Sequence, residues 1–110
     1  MARRFLQPPP IVRQDISEAL VFTRARFGDA KALEYVALIK LALQELTKNP
    51  RAGRHRPDLD PDVWVMHIGK PGRNARHLFL YEIVDEKAQL YGFFYDGMDL
   101  PTVLEGRKNP

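Results

Sequence analysis

Two helical segments separated by only two residues, Gly28 and Asp29, constrain the fold of this chain most strongly. Apolar side chains recur at spacings of three and four over residues 11–27 and again over 30–48, as in amphipathic helices. Gly28 is placed to end the first helix in a left-handed conformation, and Asp29 to cap the second. The segments therefore predict an antiparallel helical hairpin in which neither helix can bury its apolar stripe alone.

Three β-rich runs follow the hairpin, at residues 63–68, 77–84 and 90–95. The second run is apolar on both faces over most of its length, which is typical of a central strand covered by helices. Residues 85–88 between the last two runs are short enough for a hairpin turn. These runs predict an antiparallel sheet for the second half of the chain.

The remaining segments are predicted to be connections and chain ends. Asn49-Pro50 stops the second helix, and residues 50–61 are rich in Pro, Gly, Arg and Asp and indicate a loop. Residues 69–76 form a longer basic loop, and residues 2–6 can add a further edge strand. The last ten residues are expected to form a short helical turn and a frayed end.

The order (β)ααβββ separates helices from strands, which predicts an α+β fold. We expect an N-terminal helical hairpin packed on a small, mainly antiparallel sheet. The chain has 110 residues, which suits a single domain over 1–110. No apolar run is long enough to span a bilayer or to form a signal peptide, so we expect a cytoplasmic protein with no membrane partner.

The positive charge of the chain is concentrated in two stretches. The net charge is only +3, yet residues 48–56 and 70–77 contain seven Lys and Arg side chains and no acidic one. This local excess predicts a partner rich in phosphate or carboxylate groups. The first stretch has three interpretations: foremost a solvated loop, then a non-catalytic binding patch, and last, with His55 as a proton carrier, part of an RNA-cleaving site. The candidate contacts are Arg51, Arg54 and Arg56 in the first stretch, and Lys70, Arg73 and Arg76 in the second.

Several kinds of chemistry are excluded by composition and spacing. The chain has no cysteine, which excludes disulfides, thiol catalysis and cysteine-ligated zinc. Ser17 is the only serine and lies in a predicted helix, so a serine nucleophile is not expected. His67 and His77 lack metal-ligand spacing, and the alternating acidic residues at 58, 60 and 62 lack the glycine and distal glutamate of a calcium loop. We therefore expect no cofactor and no metal.

Ordered motifs carry a resemblance to a known family. The helical hairpin is followed by the central run 78–83 and then by an aromatic strand that closes in Met98-Asp99-Leu100-Pro101. Over about residues 10–104 this combination resembles the RelE/ParE superfamily of bacterial type II toxin–antitoxin toxins. The closing motif is similar to the ParE branch, also called plasmid stabilisation proteins. The loop motif that contributes to the resemblance is Asn49-Pro50-x-x-Gly53-Arg54-x-Arg56-Pro57-Asp58-Leu59.

The resemblance to the ParE branch implies a growth-inhibiting toxin that is not itself an enzyme. Such a toxin poisons DNA gyrase and is neutralised by a cognate antitoxin, in a toxin–antitoxin hetero-oligomer. The basic side chains of the two stretches would then contact the target.

The RelE branch is the alternative, and it implies a ribosome-dependent endoribonuclease that cleaves mRNA. In that case the resemblance points to Arg54, His55, Arg76 and Tyr95 as catalytic residues. The acidic Asp96 next to Tyr95 disfavours a scissile phosphate at this place and favours the gyrase branch.

The chain also departs from the pattern of the ParE branch at two places. Tyr95-Asp96-Gly97 replaces the His and Arg that usually precede Met-Asp, and the loop at 69–75 is longer than usual. An inactive or merely nucleic-acid-binding relative is therefore a further alternative.

Overall fold

A tight helical hairpin forms the N-terminal half of the protein. The structure is a computed structural model and describes residues 6–69 and 77–109. Helix α1 spans Pro10–Phe27 and α2 spans Asp29–Lys48, within one residue of the predicted bounds. Gly28 joins them with a φ of 93° and a ψ of 173°, so its φ is positive as expected, but its ψ lies outside the left-handed helical region. The prediction that Asp29 caps α2 is wrong, because Asp29 is the first helical residue and its carboxylate faces Arg24 instead.

A four-stranded antiparallel sheet forms the second half, in the order β1-β2-β3-β4. The strands are β1 (Arg54–His55), β2 (Val63–His67), β3 (His77–Val84) and β4 (Lys87–Tyr95). A β-bulge shifts the register between β3 and β4, since Leu80 pairs with Gly92 and Tyr81 with Leu90. The α+β class and the antiparallel sheet are confirmed.

Side chains from the two faces of the sheet enter two separate cores. On the hairpin face, the side of the sheet covered by α1 and α2, Phe79 and Tyr81 are fully buried with Leu46. On the α3 face, the opposite side, Leu78 and Leu80 pack beneath α3, a helix that spans Leu100–Lys108. β3 is thus apolar on both faces because helices cover both, as its sequence predicts.

Two segments, the loop after α2 and the C-terminal residues, differ from the predictions. The predicted loop at 50–61 contains a 3-10 turn at Pro50–Ala52 and strand β1, whose existence depends on pairing with β2. The C-terminal residues form a regular nine-residue helix, α3, rather than a short turn and a frayed end. Asp99 caps this helix, and Leu104 anchors it to the sheet.

The predicted N-terminal edge strand lies almost entirely outside the described residues. Only Leu6 of that segment is described, and its N–H donates to Thr47 Oγ1 at 2.6 Å. Among the helices of the described ranges, none is both long and apolar enough to cross a membrane.

Candidate functional site

The loop that follows α2 is built around the hydroxyl group of Tyr81. This hydroxyl donates to the Pro50 carbonyl at 2.7 Å and accepts from the Gly53 N–H at 3.1 Å. A Cβ atom at Gly53 would overlap both the Tyr81 hydroxyl and the Val65 carbonyl. Burial raises the pKa of Tyr81 to about 12, so the hydroxyl keeps its proton and its donor role at neutral pH. The Pro and Gly of the loop motif are thus explained by folding alone.

Two of the three arginines predicted in this loop are engaged by carboxylates. Arg51 forms a bidentate pair with Glu86 at 3.0 and 3.1 Å, and Arg56 forms one with Asp58 at 2.9 and 2.8 Å. The hydrogen bonds from these guanidinium groups lower the pKa of both carboxyl groups. Arg54 is exposed on β1, and its guanidinium makes no ion pair with the other residues that the structure describes. Arg54 is therefore the arginine of this loop that is most available to a partner.

His55 is exposed on β1, yet its ring is held by contacts with neighbouring residues. Its ring stacks on Trp64, with 5.2 Å between ring centroids and 28° between ring planes. Its Nε2 lies 2.7 Å from the Pro61 carbonyl oxygen, so Nε2 carries a proton and donates. Proton transfer by His55 would have to use Nδ1.

The structure separates the described residues that were predicted for RNA cleavage. Arg54 and His55 lie on β1, one outer strand of the described sheet, whereas Tyr95 ends β4, the other outer strand. Tyr95 is exposed, at 46%, while Tyr81 is buried. Lys70, Arg73 and Arg76 lie outside the described residues.

An aromatic and histidine cluster at one end of the sheet was not predicted as a unit. The Tyr35 hydroxyl lies 3.2 Å from His77 Nδ1, and the His77 ring stacks on Phe93 and meets Tyr95 edge-on. Burial lowers the pKa of His77, which keeps it neutral near pH 7, although the nearby Asp96 carboxylate opposes this. The residues of this cluster come from α2, β3 and β4, so their spacing along the chain does not indicate that they are in contact.

Three carboxylates also converge on the α3 side of the molecule. Ligand oxygens of Asp60, Asp62 and Glu82 lie within 4.8 Å of one another. The Lys108 ammonium, however, contacts Glu82 and lies 3.2 Å from Asp60. These bonds raise the pKa of Lys108. The lysine thus supplies the positive charge at this place and fastens the end of α3.

An exposed apolar groove runs between α1 and α2 on the outer side of the hairpin. Val21 is 67% exposed and Leu33 is 71% exposed, values that are high for apolar side chains. Arg24 lines the groove and pairs at 3.6 Å with Asp29. An apolar surface with a charged rim is typical of a protein-binding site. We call this surface the hairpin groove; it is lined by Ser17, Leu20, Val21, Arg24, Asp29, Ala32, Leu33 and Val36.

Comparison with known proteins decides the family. A family model described as the ParE toxin of the type II toxin–antitoxin system, parDE, matches residues 9–93. The chain belongs to the ParE toxin family. This ParE-family chain is thus a type II toxin, and its family implies a cognate antitoxin partner. No curated protein matches the sequence.

The match to the ParE family covers the hairpin and most of the sheet but not α3. It ends at Phe93, inside β4. Tyr95, the closing Met98-Asp99-Leu100-Pro101 motif and Arg107 therefore lie beyond the matched residues.

Proposed function

We propose that this ParE-family toxin inhibits growth by binding DNA gyrase in the cytoplasm, and that it is not an enzyme. The separation of Arg54 and His55 from Tyr95 carries this proposal, because RNA cleavage requires a base, an acid and phosphate-binding cations around one phosphate. The pairing of Arg51 and Arg56 with carboxylates supports it further, since it weakens the loop as a phosphate site.

Arg54 is the described residue that we assign the main role at the gyrase contact. It lies exposed on an outer strand without a carboxylate partner among the described residues. Arg51 and Arg56 contribute to the gyrase contact when a carboxylate of gyrase replaces Glu86 or Asp58 as their partner. The contribution of Lys70, Arg73 and Arg76 rests on the sequence alone.

A supercoiling assay with purified gyrase tests this proposal. We expect the native chain to inhibit supercoiling, and Arg54→Gln to inhibit about tenfold less, which corresponds to loss of a charge-assisted contact worth about 1.4 kcal/mol. Arg13→Gln, which removes an exposed arginine from α1, serves as the matched control and should inhibit like the native chain. Full gyrase activity in the presence of the native chain would contradict the proposal.

We further propose that the cognate antitoxin covers the hairpin groove with an amphipathic helix. The groove offers exposed apolar side chains at Val21 of α1 and Leu33 of α2. A helix that lies between α1 and α2 can bury both of them. Arg24 and Arg26 lie in the last turn of α1 and are basic. They favour acidic residues on the side of the antitoxin helix that faces α1.

Antitoxin binding is tested with the protein encoded directly beside this toxin gene. Leu33→Glu should weaken the complex by about tenfold or more, because it places a charge at an apolar contact. Leu41→Glu is the matched control, since Leu41 is also exposed on α2 but does not line the hairpin groove. Equal affinity of both variants for the antitoxin would contradict the assignment.

Ribosome-dependent RNA cleavage is the second candidate, and one observation favours it. The phenol of Tyr95 is exposed and lies beside His77, whose lowered pKa suits a neutral base. Cleavage of mRNA on ribosomes that is lost in Tyr95→Phe, while folding is retained, would establish this alternative. Absence of cleavage by the native chain would remove it.

A further inference from the structure

β4 is an outer strand of the sheet that the described residues form, and its outer edge carries the features that make a sheet edge prone to pairing with another chain. Residues 90–95 are apolar or aromatic, apart from tyrosine hydroxyls, and carry no charge. Such a segment is a ready template for an added strand when its backbone groups are free. The backbone groups of an outer strand that point away from its neighbour are the ones that an added strand uses.

Two such groups on β4 are occupied by side chains from distant helices. The Phe93 N–H donates to Asp15 Oδ2 of α1 at 3.2 Å. The Tyr91 carbonyl accepts from Arg107 Nη1 of α3 at 2.9 Å. Asp15 and Arg107 therefore take the donor and the acceptor that would begin a new β-ladder.

The two side chains also hold each other in place. Arg107 donates to both carboxylate oxygens of Asp15, at 2.8 and 2.9 Å. Their side chains are only 20% and 10% exposed, respectively. The Arg107 guanidinium lies 4.8 Å from the centre of the Phe94 ring, and Gly92 leaves the space beside that ring, which a Cβ atom would fill. The pair is thus an ordered cap on β4 rather than a solvated ion pair.

The β-bulge strengthens this arrangement at the same place. Leu90 and Gly92 pair with neighbouring residues of β3, so Tyr91 is the extra residue of the bulge. A bulge increases local twist and makes an edge a poorer template for another strand. The bulge and the ion pair therefore act on the same stretch, Tyr91–Phe93.

We propose that Asp15 and Arg107 form an edge guard that prevents a second copy of this chain from adding its β4 to the sheet. A second copy is the occupant we assign, because two antiparallel β4 strands related by a two-fold axis present the same uncharged residues to each other. We expect the native chain to sediment as a monomer, and loss of the guard to give a dimer joined through β4. This inference does not depend on the proposed target of the toxin.

Sedimentation velocity and amide hydrogen exchange of the full chain, made by cell-free synthesis, test the edge guard. In Arg107→Met, which keeps the apolar stem, we expect protection of the Phe93 amide to fall by about tenfold or more at low protein concentration. At high concentration we expect a dimer and renewed protection of the same amide. Asp15→Leu, which is close in size to the native side chain and offers no acceptor to the Phe93 N–H, should give the same two effects.

Arg51→Met is the matched control for these two measurements. It removes an equally bidentate arginine–carboxylate pair, Arg51 with Glu86, which does not touch β4 backbone groups at Tyr91–Phe93. The control should stay monomeric with a protected Phe93 amide. Unchanged protection and a monomer in both guard variants would overturn the proposal. Loss of protection throughout the sheet would also overturn it, because the pair would then hold the whole fold rather than its edge.

Discussion

The two faces of the sheet are closed by different means. The hairpin face is covered by two long helices and buries a large apolar cluster that includes Leu46 and Phe79. The α3 face is covered by one nine-residue helix over a smaller cluster. That helix is fastened at its end by ion pairs of Arg107 with Asp15 and of Lys108 with Asp60 and Glu82.

The difference shows that the length of a helix determines which interactions hold it against the sheet. A long amphipathic helix is held by its apolar stripe, because many buried side chains contribute at once. A short helix at a chain end buries too little apolar surface to be held this way, and partly buried ion pairs supplement it. We therefore expect the hairpin face to unfold with the whole protein and α3 to open separately.

The largest expected effect separates the two faces directly. Leu46→Ala and Leu104→Ala remove the same atoms from positions that are 1% and 2% exposed. We expect Leu46→Ala to lower the free energy of unfolding by about 3–4 kcal/mol, because the enclosed hairpin core cannot collapse around the cavity. We expect about 2 kcal/mol for Leu104→Ala, since α3 can shift toward the sheet. Urea unfolding measures both losses.

Hydrogen exchange gives the control for this pair of variants. Leu104→Ala should release the amides of α3 while those of α2 stay protected, whereas Leu46→Ala should weaken protection in both helices. Equal free-energy losses with the same exchange pattern would show that the two faces form one cooperative unit.

A smaller effect is expected from Tyr81→Phe, which removes a hydroxyl from the hairpin face without leaving a large cavity. The Pro50 carbonyl and the Gly53 N–H both lose their partner. We expect a loss of about 1–2 kcal/mol in urea unfolding. Tyr95→Phe, at an exposed position, is the control and should change stability by less than about 0.5 kcal/mol. A comparable loss in both variants would contradict this account, because the cost would then not depend on the bonds of the Tyr81 hydroxyl to Pro50 and Gly53.

The turn between β3 and β4 belongs to neither face and offers a stabilising change. Asp85 and Glu86 have φ angles of 53° and 62°, in a region that costs a non-glycine residue about 1 kcal/mol. We expect Glu86→Gly to raise Tm by a few degrees, because relief of the backbone outweighs loss of the exposed Arg51 pair. Thermal unfolding followed by circular dichroism measures this. A lower Tm would show that the ion pair holds the turn.

The smallest effect concerns the pH dependence of the hairpin face. The pKa of His77 is lowered by burial in the folded chain, below its ordinary value of 6.5. Unfolding therefore takes up a proton in the window just below pH 6.5, and stability falls as the pH falls through it. We expect His77→Phe, which keeps the ring stack on Phe93, to show a shallower decline than the native chain. Parallel stability curves between pH 7 and 5 would contradict this origin.

Sequence periodicity predicts most of the fold because buried stripes repeat at fixed spacing. The bounds of α1, α2 and β3 follow from such repeats and from Gly28 and Asn49-Pro50 at the helix ends. Strand β1 consists of only two residues, both of them exposed, and it forms by pairing with β2. No local sequence pattern therefore indicates it. For α3 a signal was present, since Asp99 precedes Leu100-Pro101 as a helix cap, but the segment was predicted too short.

The candidate site was less predictable, because its properties depend on contacts between distant residues. The basic loop motif predicts Arg51, Arg54 and Arg56 alike as contacts, but the pairing of Arg51 with Glu86 spans 35 positions along the chain. The contact of Tyr35 with His77 spans 42. Local spacing carries no information about such pairs, so it cannot distinguish an available arginine from an engaged one.

The central claim is that this toxin acts by binding gyrase, and pulse labelling after induction in a bacterium tests it most directly. DNA synthesis and protein synthesis are followed in parallel from the first minutes, with Arg54→Gln as the comparison variant. We predict that DNA synthesis falls first and that the variant delays this fall. A fall of protein synthesis before any change in DNA synthesis would contradict the account and would indicate a ribosome-directed nuclease.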